Sequence, residues 1–221
     1  MKKLYSFLFP KYARLPLLLV LVFNCLVYWI PPLIQGDDIT RYSLAIQGVD
    51  NVIPFIPAFI VVYVLSYVQW AFSYIYHCHE SRELCYRMTT SDLIAKAITL
   101  VFFIALPAEI VRPDVTDGGI FNWLTQLIYS MDKPISLFPS IHCLESWMCF
   151  RTATMMAKRN RWYSGAQFVF TLLVFASVVF VKQHFFVDIL GGIAVVEIGL
   201  FVYKKWETTH IFEKLQLPSA R

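Results

Sequence analysis

Six long apolar stretches constrain this chain more than any other feature. They span residues 15–34, 54–76, 93–111, 141–157, 163–181 and 185–203. A helix needs about 20 mainly apolar residues to cross a bilayer, and lipid tolerates only backbone whose hydrogen bonds are satisfied internally. Charged residues make up 15% of the 221 residues, against about 25% in soluble domains. We therefore predict an all-α integral membrane bundle of six transmembrane helices, forming one domain over residues 1–221.

The basic residues predict how this bundle is oriented. With the N-terminus inside, the outer segments hold only Arg41, Arg112, Lys133 and Lys182, and the other extramembrane Lys and Arg residues lie on the inner side. Cytoplasmic segments of membrane proteins are enriched in Lys and Arg. We expect a multi-pass protein of the cell membrane with both termini in the cytoplasm. Its expected partners are membrane lipids, with no nucleic acid, and its oligomeric state is left open.

A histidine and a carboxylate lie one helical turn apart at the start of the last apolar stretch. His184 and Asp188 are four residues apart, so on a helix they share one face. If the preceding helix continues smoothly, Ser177 lies two turns before His184 on that face. A carboxylate bonded to one ring nitrogen fixes the tautomer and leaves the other nitrogen free to attack. His142 begins the fourth stretch at the same outer face, where it is placed to act as a general acid.

Candidate anion ligands lie at the same face. Arg112 and Lys182 are outer cations, and Ser140 can donate a hydrogen bond from a helix start. A nucleophile, an acid and cations fit phosphoryl transfer better than other reaction classes. Lys182 is explained equally well as a lysine that extends to the membrane interface.

These residues resemble the motifs of the type 2 phosphatidic acid phosphatase (PAP2) superfamily. That family carries Lys-x6-Arg-Pro, Pro-Ser-Gly-His and Ser-Arg-x5-His-x3-Asp, in this order. The chain has corresponding residues in the same order, over about residues 50–192: Arg112-Pro113, then Pro139-Ser140-Ile141-His142 with Ile141 in place of the glycine, then Ser177, His184 and Asp188.

Two cations of the family pattern are missing. Ala105 stands where the lysine of the first motif belongs, and Val178 replaces the arginine of the third. Lys182 lies four residues after Val178 and offers a partial replacement, although lysine lacks the bidentate grip of a guanidinium. Such looser motifs resemble the inositol-phosphorylceramide synthase branch of the family.

The resemblance implies a role for each site residue. His184 is the implied nucleophile, Asp188 orients it, and His142 protonates the leaving alkoxide. Arg112, Ser140 and Lys182 are the implied phosphate ligands, with no metal or other cofactor.

The expected activity is hydrolysis of a lipid phosphate or diphosphate at the outer face through a phosphohistidine. Undecaprenyl diphosphate, phosphatidate and phosphatidylglycerol phosphate all remain open as substrates. The alternatives are a lipid phosphotransferase, in which an alcohol takes the place of water, and a non-enzymatic membrane protein with a relic site.

Three further expectations concern other polar segments. Arg151 and Glu197 lie at similar depth, about 13 Å from the outer ends of their helices at ~1.5 Å per residue, and we predict that they pair unless Arg151 extends inward instead. Residues 120–131 are predicted to form a short amphipathic helix at the membrane surface, or equally a packed extramembrane turn. The segment 77–85 is interpreted as a solvated cytoplasmic loop, not as a metal cluster.

Overall fold

The computed structural model describes residues 8–36, 39–116, 118–157 and 160–206. Over these residues the chain forms α-helices joined by turns and loops, and a short 3-10 turn, Pro57–Phe59, precedes the second helix. The α-helices are α1 (Lys11–Gln35), α2 (Ile60–Glu80), α3 (Arg82–Ala105), α4 (Ile120–Met131), α5 (Ile141–Ala153), α6 (Arg161–Phe180) and α7 (Phe186–Trp206). The predicted all-α class is confirmed for the described part of the chain.

Five of the described helices are long and apolar enough to cross a membrane. They are α1, α2 with its preceding turn, α3, α6 and α7. The architecture is therefore compatible with a multi-pass membrane protein.

The predicted fourth span, residues 141–157, is instead the 13-residue helix α5. Its 13 residues are fewer than the roughly 17 that a spanning helix needs, and at 1.5 Å per residue it is about 20 Å long. It packs against α2, α3, α6 and α7. The His142 ring stacks on Tyr63 at one end, and Thr152 contacts His77 at the other. Because α5 is enclosed by neighbouring helices, polar residues along it meet protein partners.

The third predicted span, residues 93–111, corresponds to a helix that begins and ends earlier, α3 (Arg82–Ala105). Ser81 caps α3 by accepting a hydrogen bond from the amide of Leu84 at 3.1 Å, and the helix ends before Pro107, whose ring disfavours helical geometry at Leu106. The interpretation of residues 77–85 as a solvated loop is wrong. Residues 77–80 belong to α2 and 82–85 to α3, and the side chains of His77, Cys78 and Cys85 are buried between helices.

The predicted short helix at residues 120–131 is confirmed as α4, with the same bounds. Leu124 and Ile128 pack against an apolar cluster that includes Tyr63, while Ile120 and Trp123 are exposed. The helix thus covers one end of the bundle with its apolar face.

Glycines allow α7 to approach its neighbours closely. A Cβ atom at Gly192 would lie 2.9 Å from the carbonyl oxygen of Ser140 and 2.9 Å from the Cβ of Cys143. At Gly191 it would lie 2.5 Å from the ring of Phe138. Any larger residue would therefore push α7 away from the turn that starts α5.

Candidate active site

The turn between α6 and α7 presents His184. The amides of Gln183 and His184 both donate to the carbonyl oxygen of Val178, at 2.9 and 3.1 Å. Asp188, fully buried in the first turn of α7, accepts from the amide of Phe185 at 2.9 Å. The same carboxylate oxygen lies 3.2 Å from Nδ1 of His184. Nε2 of His184 is therefore the nitrogen left to meet a substrate.

His142 enters the site from the start of α5. Ser140 caps this helix, since its hydroxyl accepts from the amide of Cys143 at 3.4 Å. The amide of Ser140 in turn donates to the carbonyl oxygen of Asp188 at 3.1 Å. The structure brings the two predicted histidines together, with 6.4 Å between their ring centroids.

Aromatic rings surround His142 and fix its orientation. Its ring stacks on Tyr63 with 4.0 Å between centroids and meets Tyr67 and Trp70 edge-on at 5.3 and 5.0 Å. Trp70 is itself held by a 2.9 Å hydrogen bond from its Nε1 to the hydroxyl of Ser146. Nε2 of His142 is buried and has no hydrogen-bond partner among the described residues. This nitrogen remains available to exchange a proton with a ligand.

Both histidines line one cavity of about 770 Å³. Its walls come from five helices, α1 to α5, and from the loops on either side of the site. The α1 wall is mainly apolar and consists of Asn24, Cys25, Tyr28, Trp29, Pro32 and Leu33. The cavity thus joins two imidazoles to an apolar surface large enough for part of an amphiphilic molecule.

Arg112 lies beside the cavity rather than in its wall, judged from the described lining residues. Its Nη1 donates to the carbonyl oxygens of Asp132 and Tyr129 at 2.6 and 3.2 Å, and its Nη2 donates to Oε1 of Gln183. The guanidinium also lies 4.5 Å from the ring centroid of Tyr129. Burial lowers the pKa of Arg112, while the carboxylate of Asp132 opposes that shift. Arg112 joins the end of α4 to the turn that carries His184.

Lys182 extends away from the cavity. The preceding helix does not continue smoothly to His184, so the condition for placing Ser177 on the same face is not met: α6 ends at Phe180 and Lys182 has a φ of 51°. Its Nζ donates to the carbonyl oxygens of Ile53 and Asp50 at 2.6 and 3.3 Å. This placement gives no support to Lys182 as the replacement for the missing arginine.

The two predicted serines have local roles. The side chain of Ser140 is buried at the start of α5, where it acts as the helix cap. Ser177 donates to the carbonyl oxygen of Val174 at 2.7 Å within α6 and is also buried. Neither lies among the described residues that line the cavity.

A buried ion cluster one turn below His142 was not predicted from the sequence. Lys96 on α3 has no exposed surface, and its Nζ lies 2.9 Å from Asp92 and 2.5 Å from Glu145 on α5. Tyr74 on α2 donates to the other oxygen of Glu145 at 2.7 Å. The four-residue spacing of Asp92 and Lys96 indicates a possible ion pair, but the sequence does not show that the pair is buried between helices. The cluster ties α2, α3 and α5 together beneath the site.

The predicted pairing of Arg151 with Glu197 is confirmed. Nε of Arg151 lies 2.7 Å from Oε1 of Glu197, and Nε1 of Trp147 donates to the same oxygen at 2.8 Å. The pair joins α5 to α7.

A family model described as the PAP2 superfamily matches residues 41–202. This covers most of the chain and both histidine stretches, and the chain belongs to the PAP2 superfamily. Helix α1, which forms one wall of the cavity, precedes the matched region. No curated protein and no solved structure matched the chain.

Proposed function

We propose that this protein is a lipid phosphatase that hydrolyses a lipid phosphate or diphosphate through a phosphohistidine, without a metal. The single observation that carries this proposal is the shared cavity, in which His184, paired with Asp188, faces His142 across 6.4 Å between ring centroids. Membership of the PAP2 superfamily supports the same reaction class.

The first step forms a covalent intermediate. The lone pair on Nε2 of His184 forms a bond to phosphorus as the bond from phosphorus to the lipid oxygen breaks. His142 donates its Nε2 proton to that oxygen, which leaves as an alcohol or, from a diphosphate, as a lipid phosphate. A nucleophile within about 3.5 Å of phosphorus and an acid within about 3.2 Å of the leaving oxygen fit a phosphoryl group held between the two rings.

The second step releases phosphate. A water molecule attacks phosphorus, the bond from nitrogen to phosphorus breaks, and His142 accepts the proton of the water. Asp188 takes no proton in either step. It orients His184 and stabilises the positive charge that the ring acquires when it is phosphorylated.

The substrate is proposed to be an amphiphile whose apolar chain lies along α1 while its headgroup meets the histidines. Support comes from the apolar wall that includes Trp29 and Leu33, since it continues into the same cavity as His184. The placement of basic residues supports a site that opens outward, with both termini in the cytoplasm. An apolar chain could then remain at the bilayer while the headgroup reacts.

The test is hydrolysis by the purified protein in nanodiscs with a chelator present. Phosphatidate, phosphatidylglycerol phosphate and undecaprenyl diphosphate are compared, and released phosphate is measured. We expect one of them to be hydrolysed by the parent protein and by Lys204→Ala, an exposed change on α7, but not by His184→Gln. Transfer of the phosphoryl group to an added alcohol in preference to water would identify a transferase. Full activity of His184→Gln would overturn the proposed mechanism.

A further inference from the structure

The cavity lacks the cations that the family motifs supply. Ala105 and Val178 occupy two of the three positions. The third, Arg112, is engaged with two backbone carbonyls and the side chain of Gln183. Among the described residues that line the cavity, Lys133 is the one lysine or arginine. A phosphate held between the histidines therefore needs donors from outside the family motifs.

Gln183 is placed to be one of these hydrogen-bond donors. It lines the cavity next to His184 and is only 2% exposed. A guanidinium can only donate hydrogen bonds, so the contact with Arg112 requires the amide oxygen of Gln183 on that side. Its Nε2 then lies on the opposite branch of the amide, buried and without a partner among the described residues. A buried amide that can donate two hydrogen bonds and makes none is costly unless a ligand accepts them.

Ser136 and Lys133 contribute from the loop after α4. The hydroxyl oxygen of Ser136 is buried and has no partner in the described structure, although the residue lines the cavity. Lys133 is exposed at the same cavity. The intervening loop holds Ser136 in the left-handed region, with a φ of 59°.

Asp132 fixes the base of this loop. Its carboxylate accepts from Tyr28 at 2.8 Å and from Tyr63 at 3.4 Å, while its carbonyl oxygen accepts from Arg112 at 2.6 Å. The hydrogen bonds from the two phenols engage both carboxylate oxygens, which limits the repulsion of an anion nearby. Arg112, which orients Gln183, also positions the loop that carries Lys133.

We propose that Gln183, Ser136 and Lys133 form the phosphate-binding group of this cavity, taking the place of the absent family cations. The amide and hydroxyl are neutral donors to the charged ligand, and Lys133 supplies the positive charge. Arg112 is a positioning residue that sets the orientation of the Gln183 amide. The proposal rests on the proposed function for the identity of the ligand, and a lipid headgroup and free phosphate share the required chemistry.

The test is binding of orthovanadate and of inorganic phosphate to the purified protein in detergent, measured by calorimetry. We expect Lys133→Ala and Gln183→Glu each to weaken vanadate binding about 10- to 100-fold, the range for hydrogen bonds to charged groups. Gln183→Glu preserves shape and the contact with Arg112, but it removes the donor and places a negative charge at the proposed phosphate site. Gln126→Glu, the same change at an exposed α4 position that does not line the cavity, is the matched control and should bind normally.

Folding is checked by the thermal unfolding midpoint of each variant. Unchanged vanadate affinity in both folded variants, or no vanadate binding by the parent protein, would contradict the proposal that these residues bind phosphate. If the parent protein binds vanadate and the variants do not, the binding group stands even when no lipid phosphate is hydrolysed. If hydrolysis occurs and both variants retain the parent KM for the lipid and its affinity for free phosphate, the phosphatase proposal stands and the binding group fails.

Discussion

The amide of Ser140 donates a 3.1 Å hydrogen bond to the carbonyl oxygen of Asp188. This bond directly joins the two turns that carry the histidines, because Ser140 begins the helix of His142 and Asp188 holds His184. Their relative position is thus set by backbone contact and does not depend on long side chains alone. Gly192 makes that contact sterically possible.

Replacing Gly192 with alanine should separate the two turns. The added methyl group would meet the carbonyl oxygen of Ser140 and the Cβ of Cys143, each at 2.9 Å, and neither can rotate away. We expect a loss of about 1–3 kcal/mol in stability, typical of overpacking, and a larger fractional loss of kcat. Thermal unfolding and steady-state hydrolysis measure the two effects.

Gly165→Ala is the matched control for this change. A Cβ atom at Gly165 on α6 meets no heavy atom within 4 Å, so this variant should keep both its stability and its activity. Equal effects of the two substitutions would contradict a specific role for the contact between α7 and the Ser140 turn.

If His142 is the general acid, the loss of rate in His142→Gln should depend on the leaving group. An alkyl phosphate needs protonation of its leaving oxygen, so we expect a loss of about 10²–10⁴-fold in kcat. A p-nitrophenolate leaves without a proton, so p-nitrophenyl phosphate should lose much less in the phosphorylation step. Single-turnover kinetics with each substrate isolate that step. Equal losses with the two substrates would show that His142 positions the substrate and does not protonate it.

The α1 wall predicts selectivity for chain length. Trp29→Ala and Leu33→Ala should each lower kcat/KM for a long-chain lipid phosphate about tenfold, because each removes apolar contact with the chain. A short, water-soluble phosphate ester should be unaffected. Leu21→Ala removes an exposed apolar side chain of the same helix that does not line the cavity, and it should behave like the parent protein. Losses of the same size for both substrates would contradict a binding role for this wall.

Lys96→Met should strongly destabilise the bundle. It leaves Asp92 and Glu145 as buried charges without their cation, which typically costs about 3–5 kcal/mol. Arg151→Met should cost less, because it leaves one carboxylate without its cation instead of two, and Glu197 keeps the hydrogen bond from Trp147. Thermal unfolding in detergent compares them, and the combined change Asp92→Asn, Lys96→Met and Glu145→Gln should restore most of the loss. No recovery in the combined variant would contradict unpaired charge as the cause.

Local spacing and depth made part of the site predictable. The contact between His184 and Asp188 follows from four-residue spacing at a helix start. The pairing of Arg151 with Glu197 follows from two costly charges at similar depth in the fourth and sixth apolar stretches.

What was missed depends on turns and on contacts among three or more helices. Lys182 adopts a positive φ, which no helical spacing anticipates, and its side chain consequently extends away from the site. Gln183 is distinguished by its burial in the cavity wall and by its contact with Arg112, which lies 71 residues away in sequence. The third span was predicted to start at residue 93, whereas α3 starts at Arg82. The polar residues at the start of this helix, such as Asp92, are buried by contacts with other helices that the sequence does not show.

The pairing of Asp92 with Lys96 within α3 also bears on the order in which the chain assembles during synthesis. The two charges can neutralise each other as soon as α3 is made, one turn apart, before Glu145 exists. Helix α5, with 13 residues, is made later, and Glu145 then contacts a lysine that is already paired within α3. We therefore expect α3 to retain α5 through this contact, so that the helix bearing His142 is placed only after Lys96 of α3 is in position.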